Sequence, residues 1–276
     1  MHILIIGENM EFIKNAAQFE KMIDNKIIGE PELINSKINF FGKGNILICK
    51  KEMSLKNVIL DFHGDNSLVY LESNLNDFFR LNISHDSLLF VGKDVDFGVS
   101  NNISIFEGQN VIIGDECMIG DNVSITTSDN SPIYSFSNKE RINFSASILI
   151  GDHVLIGNNS FISKNVKIGS GSIIDSSSFI QSNVIIHSNV QVSGNPVKII
   201  KEKVFFTKDF LNTFNSEDSF NSKNYKSDVF MFNVVAQETL NMNHVDEILK
   251  EFDVESKIEF VEKLFIKNKR KNRFSL

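Results

Sequence analysis

The feature of this chain that most limits its fold is a six-residue repeat of aliphatic residues. Eight of them stand six positions apart: Ile150, Ile156, Ile162, Ile168, Ile174, Ile180, Ile186 and Val192. A small or β-branched residue follows after four positions, as in Val154 and Ser160, and glycine can follow directly, as in Gly151 and Gly157. An α-helix repeats about every 3.6 residues and a half-buried strand about every 2, so this period excludes both.

A period of six predicts a solenoid of short, flat strands with a bend after each strand. The aliphatic residue points inward and stacks on its equivalents in neighbouring coils, and the small residue fits near the bend. Glycine, Asn or Asp then accommodates the backbone of the turn. Three sides close a triangular coil, so every third aliphatic residue shares a column. We therefore expect the six isoleucines from Ile156 to Ile186 to be buried in three columns.

A looser form of the repeat lies upstream. Residues 41–45 recur as 62–66, 21 positions later, and 83–87 follow after another 21. Each segment leads into an apolar run that predicts a strand. The solenoid is therefore expected over 36–198, with a loop inserted at 127–148.

Segments of different character flank the solenoid. Residues 1–35 predict a short cap over its open end, with a strand at 3–6 and a helix near 11–23. Residues 199–276 predict an irregular linker and then two amphipathic helices. Their apolar positions have helical spacing: Val245, Ile248, Leu249 and Phe252, and then Ile258, Val261, Leu264 and Phe265.

Charge and composition narrow the class of protein. The chain has 28 basic and 35 acidic residues, a net charge of −7, which argues against a nucleic-acid-binding protein. Cys49 and Cys117 have no metal-ligand spacing, and we expect no metal. Since the sequence predicts neither a signal peptide nor a transmembrane segment, we expect a cytoplasmic protein. The basic run 267–273 is expected to be a solvated tail, with peripheral contact to an anionic partner or membrane surface as the alternative.

Four further segments form a recognisable set. They are Thr126 to Asp129 leading into Pro132-Ile133-Tyr134, Arg141 to Asn143 before Ile148 to Val154, Gly194 to Lys201, and Phe205 to Thr207. With the repeat, they resemble the hexapeptide-repeat acyltransferases, and within these the bacterial O-acetyltransferases that modify capsule and polysialic acid. The resemblance implies an all-β solenoid, a left-handed parallel β-helix. It also implies a homotrimer with its sites between subunits, acetyl-CoA as donor, and a loop His as general base.

The sequence departs from that family where the base is expected. Ser131 stands just before the loop proline, in the place of the family's catalytic His, and residues 126–149 contain no other His. A hydroxyl without assistance does not accept a proton near pH 7. If the chain is a transferase, its base is therefore expected to be Asp129 or His153, with Ser131 as the third candidate catalytic residue.

Other candidates follow from the resemblance. Arg141 and Tyr134 are expected to bind the acceptor, with Arg141 contacting an anionic group. Asn158 and Ser176 fall where the family's coils face pantetheine, and Lys198 matches the basic residue that follows Gly-Asn-Pro and could neutralise a phosphate. His63 and His85 are expected in related places two coils apart, where a ladder or surface role is favoured over metal binding.

These features leave several functions open. The first is an acetyl-CoA-dependent O-acetyltransferase acting on a bacterial surface glycan or its nucleotide-sugar precursor. The second is a non-catalytic, degenerate β-helix that serves as a scaffold or regulator in glycan assembly. A third is a transferase with a different acyl group. The repeat, the loop and the Gly-Asn-Pro segment favour an enzyme, and the missing His favours the scaffold.

Overall fold

The structure, a computed structural model, describes residues 10–276, so the strand predicted at 3–6 lies outside it. Within these residues the strands are β1 (Glu11–Ile13), β2 (Lys26–Ile28), β3 (Glu32–Ile34), β4 (Lys37–Phe40), β5 (Ile46–Cys49), β6 (Ser54–Lys56), β7 (Ile59–Phe62), β8 (Leu68–Leu71), β9 (Arg80–Ile83), β10 (Leu88–Val91), β11 (Asp96–Phe97), β12 (Asn102–Ile105), β13 (Asn110–Ile113), β14 (Met118–Ile119), β15 (Ser124–Thr126), β16 (Ile148–Ile150), β17 (Leu155–Ile156), β18 (Phe161–Ile162), β19 (Lys167–Ile168), β20 (Ile173–Ile174), β21 (Phe179–Ile180), β22 (Ile185–Ile186), β23 (Val190–Ser193) and β24 (Lys198–Glu202). The helices are α1 (Ser216–Asn221), α2 (Met242–Glu251) and α3 (Val254–Val261). There are also 3-10 turns at Ala16–Lys21 and Leu211–Thr213, and a π-helical turn at Glu262–Ile266 after α3.

The strands form the three sides of a triangular solenoid. Sheet A has the order β1-β4-β7-β9-β12-β15-β18-β21, sheet B the order β2-β5-β8-β10-β13-β16-β19-β22, and sheet C the order β11-β14-β17-β20-β23-β24. Neighbouring strands are parallel, except that β1 and β24 pair antiparallel with β4 and β23. The chain passes from sheet B to C to A in each coil. We name the edges between the sheets the AB, BC and CA corners.

The columns of aliphatic residues confirm the period-six prediction. All six isoleucines from Ile156 to Ile186 are buried, with 3% or less of their surface exposed. Every third one shares a column, through the pairs Ile156–Ile174, Ile162–Ile180 and Ile168–Ile186. Full burial of such a side chain is worth about 1.5–3 kcal/mol, so these columns are the main source of the solenoid's stability.

Glycine and asparagine have different tasks at the corners. A Cβ on Gly157 would lie 2.4 Å from the backbone nitrogen of Ser176 on the next coil, so glycine is required there by close packing. The left-handed turn comes two residues later and is taken by Asn159 (φ 59°), and likewise by Asn165 (φ 56°) and Asn183 (φ 69°). Asn tolerates this conformation better than most residues. The sequence predicts that glycine, Asn or Asp accommodates the backbone of the turn. The asparagines do so, whereas Gly157 is required for close packing instead.

The upstream coils are less regular than the 21-residue spacing predicts. Phe40 pairs with Phe62, 22 residues on, while Phe62 pairs with Ile83 after 21. Phe41 therefore aligns with His63, and their rings stack with centroids 5.3 Å apart. Parallel pairing begins at Lys26, where β2 pairs with β5.

The N-terminal segment differs from its prediction. The helix expected near 11–23 is instead strand β1, which pairs with β4, followed by the 3-10 turn Ala16–Lys21. Ile13 is buried against the core, whereas the 3-10 turn has no buried residue.

The C-terminal residues cover the outer face of sheet B. Strands β5, β8, β10 and β13 are buried on both faces, which explains why their sequences are continuously apolar. Their outward side chains pack on those of α2, α3 and the residues after them, including Leu249, Val261 and Phe265. The helices predicted from the apolar spacing thus have their apolar faces against the solenoid.

The basic C-terminal run is only in part the solvated tail that the sequence predicts, because its first four cationic residues are exposed but its last one, Arg273, is docked on the solenoid. Arg273 is buried, and its guanidinium pairs with Asp152 (2.7 and 2.8 Å) and Asp115 (2.8 Å) at the BC corner. Farther along, the backbone nitrogens of Ser170 and Ser188 donate to the carbonyl oxygens of Phe274 and Leu276. The end of the chain therefore lies along the BC corner. No helix in residues 10–276 combines the length and the apolar character needed to cross a membrane.

Candidate active site

The inserted loop leaves the solenoid at the AB corner, between β15 and β16. Asn143 holds its two arms together. The Asn143 amide nitrogen donates to the Asp129 carboxylate (3.0 Å) and the Ser131 carbonyl (2.8 Å), and its oxygen accepts from the Ile133 backbone nitrogen (2.6 Å). Asn143 is buried, so this loop has a fixed base.

Arg141 ties the loop to the preceding coil. Its guanidinium makes a bidentate pair with Glu107, at 2.5 and 2.8 Å, and lies over the Phe144 ring. Hydrogen bonds from Arg141 and Ser145 lower the pKa of Glu107 to about 2. The structure thus places Arg141 in a structural ion pair, where both its terminal nitrogens already contact a carboxylate.

Asp129 lies at the base of the same loop. Lys164, on the next coil at the AB corner, donates to its carboxylate, and Asn143 donates a second bond. These hydrogen bonds, chiefly that from Lys164, lower the pKa of Asp129. A general base near neutral pH works best with a pKa close to 7, and the shift at Asp129 is in the opposite direction.

Ser131 and Tyr134 are both exposed on the loop. Tyr134 forms an isolated antiparallel bridge with Arg141, which gives the loop a hairpin shape. The hairpin presents large apolar side chains that are half or more exposed: Ile133, Tyr134, Phe136, Ile142 and Phe144. An exposed apolar patch of this kind is typical of a surface that contacts another molecule.

His153 lies at a different corner, BC, and is 1% exposed. Its ring stacks on Phe206 and Phe230, with centroids 4.1 and 4.0 Å away. Nε2 is 3.0 Å from the Phe206 carbonyl and must donate to it, which leaves Nδ1 buried without a hydrogen-bond partner. Burial lowers the pKa of His153. The ring is therefore packed within the protein, away from the loop.

Asn158 and Ser176 lie in CA turns, and Lys198 lies on the strand that pairs with β23. Asn158 follows β17 and Ser176 follows β20, on consecutive coils, and both are exposed. Lys198 is exposed on β24, opposite Ser193 at the end of β23, which continues the same edge. The Asn158 side-chain oxygen accepts from the Asp121 backbone nitrogen (2.9 Å) and leaves its amide nitrogen as the outward group.

The candidate residues thus fall on three corners of the coil. Asp129, Ser131, Tyr134 and Arg141 belong to AB, His153 to BC, and the three donor-binding candidates to CA. One side of the coil, such as 158–164, has six residue steps and spans at most about 20 Å. The AB loop and the CA edge therefore lie at opposite ends of one side of the coil.

Three residues that organise the loop are not among those predicted from the sequence. Glu107 and Lys164 hold the loop from the coils on either side, and Asn143 joins its arms. The sequence carries a partial signal, because Glu107 and Lys164 both occupy AB turns of the repeat. Their partners are in an irregular segment whose path the repeat does not specify.

Metal and thiol chemistry have little support in the described residues. Across 10–276, no three His, Cys, Asp or Glu side chains converge as metal ligands would. Both cysteines are buried, and burial raises the pKa of Cys49 to about 12 and that of Cys117 further still.

Several known proteins are similar to this chain in sequence or in fold. No protein-family model matches the chain. A polysialic acid O-acetyltransferase of Neisseria meningitidis is 27% identical over 138 residues, which are 49% of this chain and 64% of that protein. The match therefore spans less than two thirds of that relative.

Two solved structures share the fold. The polySia specific acetyltransferase NeuO superposes with a TM-score of 0.62 and 28% identity, over 72% of this chain and 93% of its own. The polysialic acid O-acetyltransferase OatWY superposes with a TM-score of 0.50 and 24% identity, over 73% of this chain and 99% of its own.

The solenoid is a left-handed parallel β-helix, and the 28% identity with NeuO supports the resemblance of the chain to the hexapeptide-repeat acyltransferases. Within the family it is similar to the bacterial polysialic acid O-acetyltransferases.

Proposed function

We propose that this protein is an O-acetyltransferase that transfers an acetyl group from acetyl-CoA to a hydroxyl of a bacterial surface glycan or its precursor. The observation that carries the proposal is the similarity to NeuO, at 28% identity over 93% of that chain. The ordered loop at the AB corner adds support, because Asn143, Arg141 and Lys164 anchor it on both sides.

The CA corner suits a long, flexible donor. Asn158 and Ser176 offer exposed polar groups on consecutive coils along a straight edge, and Lys198 adds a cation at its end. Neighbouring strands are about 4.8 Å apart, so such groups repeat at a spacing that amides of a pantetheine chain can follow. Lys198 would neutralise a phosphate. The donor supplies an activated thioester, and these residues bind and orient it.

The proposed assembly is a homotrimer. The AB loop and the CA edge lie at opposite ends of one side of a coil, at most about 20 Å apart, and in the proposed site the loop comes from one copy and the edge from another. The exposed apolar side chains of the loop, Phe136 among them, supply a contact surface. Closed cyclic symmetry would build the same cleft at every interface.

At the acceptor side we propose that the loop positions the sugar. The Ser131 hydroxyl and the Tyr134 phenol are exposed and can hydrogen bond the acceptor. Arg141 shapes the cleft through its ion pair with Glu107. Asp129, held by Lys164, keeps the loop base closed and carries a negative charge beside the cleft.

Three observations favour the alternative, a non-catalytic scaffold or regulator in glycan assembly. Ser131 replaces the base that the resemblance implies, Asp129 has a lowered pKa, and His153 is enclosed by aromatic rings. A scaffold needs only the fold and the loop surface.

Acetyl-CoA binding and turnover separate the two functions. The purified protein is titrated with acetyl-CoA in a calorimeter and then incubated with acetyl-CoA and polysialic acid, with acetylated product detected by mass. An enzyme binds acetyl-CoA and forms product, and Lys198→Glu weakens binding whereas Lys226→Glu, an exposed lysine of the linker, does not. No binding and no product would leave the scaffold function standing.

Restoring the family residue gives a second arm. If the cleft is intact, Ser131→His increases acetyl transfer by supplying an imidazole at the loop. A Ser131→His protein that binds acetyl-CoA but gains nothing would show that an imidazole at this position does not limit the transfer.

A further inference from the structure

The proposed reaction requires a proton acceptor, and the chain contains an exposed histidine paired with a carboxylate at the AB corner. His85 Nδ1 lies 3.0 Å from Asp86 Oδ2, and the His85 side chain is 57% exposed. A carboxylate on Nδ1 fixes the tautomer in which Nδ1 carries the proton and Nε2 has a free lone pair. That lone pair can accept a proton from a sugar hydroxyl.

The position of His85 relates it to the loop. Successive AB turns contain His85, then Glu107, then the loop itself. The Gly108 nitrogen donates to the His85 carbonyl (3.1 Å), and the Glu107 nitrogen donates to the Ser84 hydroxyl (2.7 Å), so these two turns are in contact. Because Arg141 pairs with Glu107, the loop is held against the coil next to His85.

The other histidines of residues 10–276 are less suited. His63 has its Nε2 3.3 Å from the Asn82 amide oxygen and its ring on Phe41. His153 is buried at the BC corner. His187 follows β22 at the BC corner, and His244 lies on α2, the helix over sheet B. Among the described residues, His85 alone combines the loop's corner, a carboxylate partner and an open Nε2.

We propose that His85, oriented by Asp86, is the general base of this enzyme and takes the place of the missing loop histidine. This proposal rests on the acetyltransferase function proposed above. His85 Nε2 accepts the proton of the acceptor hydroxyl as that oxygen bonds to the acetyl carbon. The carbon–sulfur bond of the thioester then breaks, and the His85 imidazolium returns the proton to the CoA thiolate. The products are the O-acetyl glycan and CoA.

The turn that carries His85 is firmly supported. Asp86 has the left-handed backbone conformation (φ 54°), and its carbonyl accepts a hydrogen bond from the buried Lys257 of α3. The charged groups around His85 are Asp86 on its own turn, Asp65 and Glu107 on the adjacent coils, and Lys257.

The test compares two exposed histidines on adjacent coils. His85→Gln should lower kcat about 10²- to 10⁴-fold, with acetyl-CoA affinity unchanged, because a base is lost and the donor edge is at another corner. His63→Gln is the matched control and should stay within about 2-fold of the wild type. Free imidazole should restore part of the rate to His85→Ala, and Asp86→Asn should lower kcat and shift its pH profile, since it would leave His85 without its orienting carboxylate.

The outcomes separate this proposal from the function on which it rests. A wild type that transfers acetyl groups, with His85→Gln equally fast, would overturn the role of His85 and leave the acetyltransferase standing. A wild type that neither binds acetyl-CoA nor forms product would overturn both. Melting curves of the two Gln variants that match the wild type would show that a lost rate is not a lost fold.

Discussion

The BC corner of the solenoid is covered by other parts of the chain, whereas the AB corner is open. At BC the chain closes its own edge: Phe206 and Phe230 enclose His153, and Arg273 pairs with Asp115 and Asp152. At AB the loop projects outward with exposed apolar side chains, and only its base is fixed. The six-residue repeat is the same at both corners. The corners differ because different segments from outside the repeat pack against them.

The contrast explains why His153 is an unsuitable base and His85 a suitable one. Both follow a sheet at a corner, and both have a carboxylate within 4 Å, since Glu116 lies 3.8 Å from His153 Nδ1. His153 is 1% exposed, while the side chain of His85 is 57% exposed. Access to substrate is therefore decided by the C-terminal residues, which cover one corner and leave the other open.

The largest effect is expected in the core that both corners share. Ile168→Asp places an unpaired carboxylate between Ile150 and Ile186 in a sheet B column, at a cost of several kcal/mol, about 4 or more. Urea denaturation should show a protein that is unfolded or close to it. Ile185→Asp, on the exposed face of the neighbouring strand, should change stability by less than about 0.5 kcal/mol. Equal effects of the two changes would contradict the inward assignment.

The next effect concerns the closed corner. Arg273→Leu leaves Asp115 and Asp152 without their cation in a buried site, which typically costs about 3–5 kcal/mol. Amide exchange in α2 and α3 should then become faster than in the solenoid strands. Arg270→Leu changes an exposed residue of the same run and should leave exchange unchanged. Unchanged protection in Arg273→Leu would mean that the helices hold the corner without the ion pair.

At the open corner, Asn143→Ala removes the bridge between the loop arms. A displaced loop can cost about 10²-fold in rate through lost orientation alone, and we expect kcat to fall by 10-fold or more with little change in melting temperature. Asn138→Ala, which removes only an exposed contact with Glu140 at the loop tip, is the control. A rate that is insensitive to Asn143 would separate the loop from catalysis.

The smallest effect is the pH dependence of the closed corner. Burial lowers the pKa of His153 below its ordinary value of 6.5, so the unfolded chain binds the proton more readily. His153 therefore contributes stability that is full above about pH 6.5 and declines as the pH falls below it. His153→Phe keeps the aromatic stack and removes the titration, so the difference between the two proteins should change between pH 7 and pH 5. A constant difference would exclude this coupling.

Much of the fold could be predicted because it is local and periodic. The stacked isoleucines follow from the six-residue period, and the amphipathic spacing marks α2 and α3. The docking of the C-terminal residues could not be predicted, because Arg273 and Asp152 are 121 positions apart and neither segment contains a motif that indicates their contact. The sequence alone therefore predicts that the basic run is solvated. The sequence predicts a longer helix around the 3-10 turn at Ala16–Lys21 because the pairing of β1 with β4 is equally non-local.

The candidate site shows the same limit. The loop and its serine can be predicted from the sequence, because the resemblance implies a histidine where Ser131 stands. Lys164 forms an ion pair with Asp129, and Glu107 forms one with Arg141. Both partners lie in turns on other coils. The repeat predicts the positions of the turns. It does not predict which irregular segment contacts each turn.

Amide hydrogen exchange of the wild-type protein with and without CoA tests the central contrast most directly. The account predicts that CoA slows exchange near Asn158 and Ser176 and in the loop from Asp129 to Ser145, because the donor edge of one copy meets the loop of another. Exchange around His153 and in residues 270–276 should not change. Protection confined to His153 and the C-terminal residues would contradict the account, because the closed corner would then be the binding site.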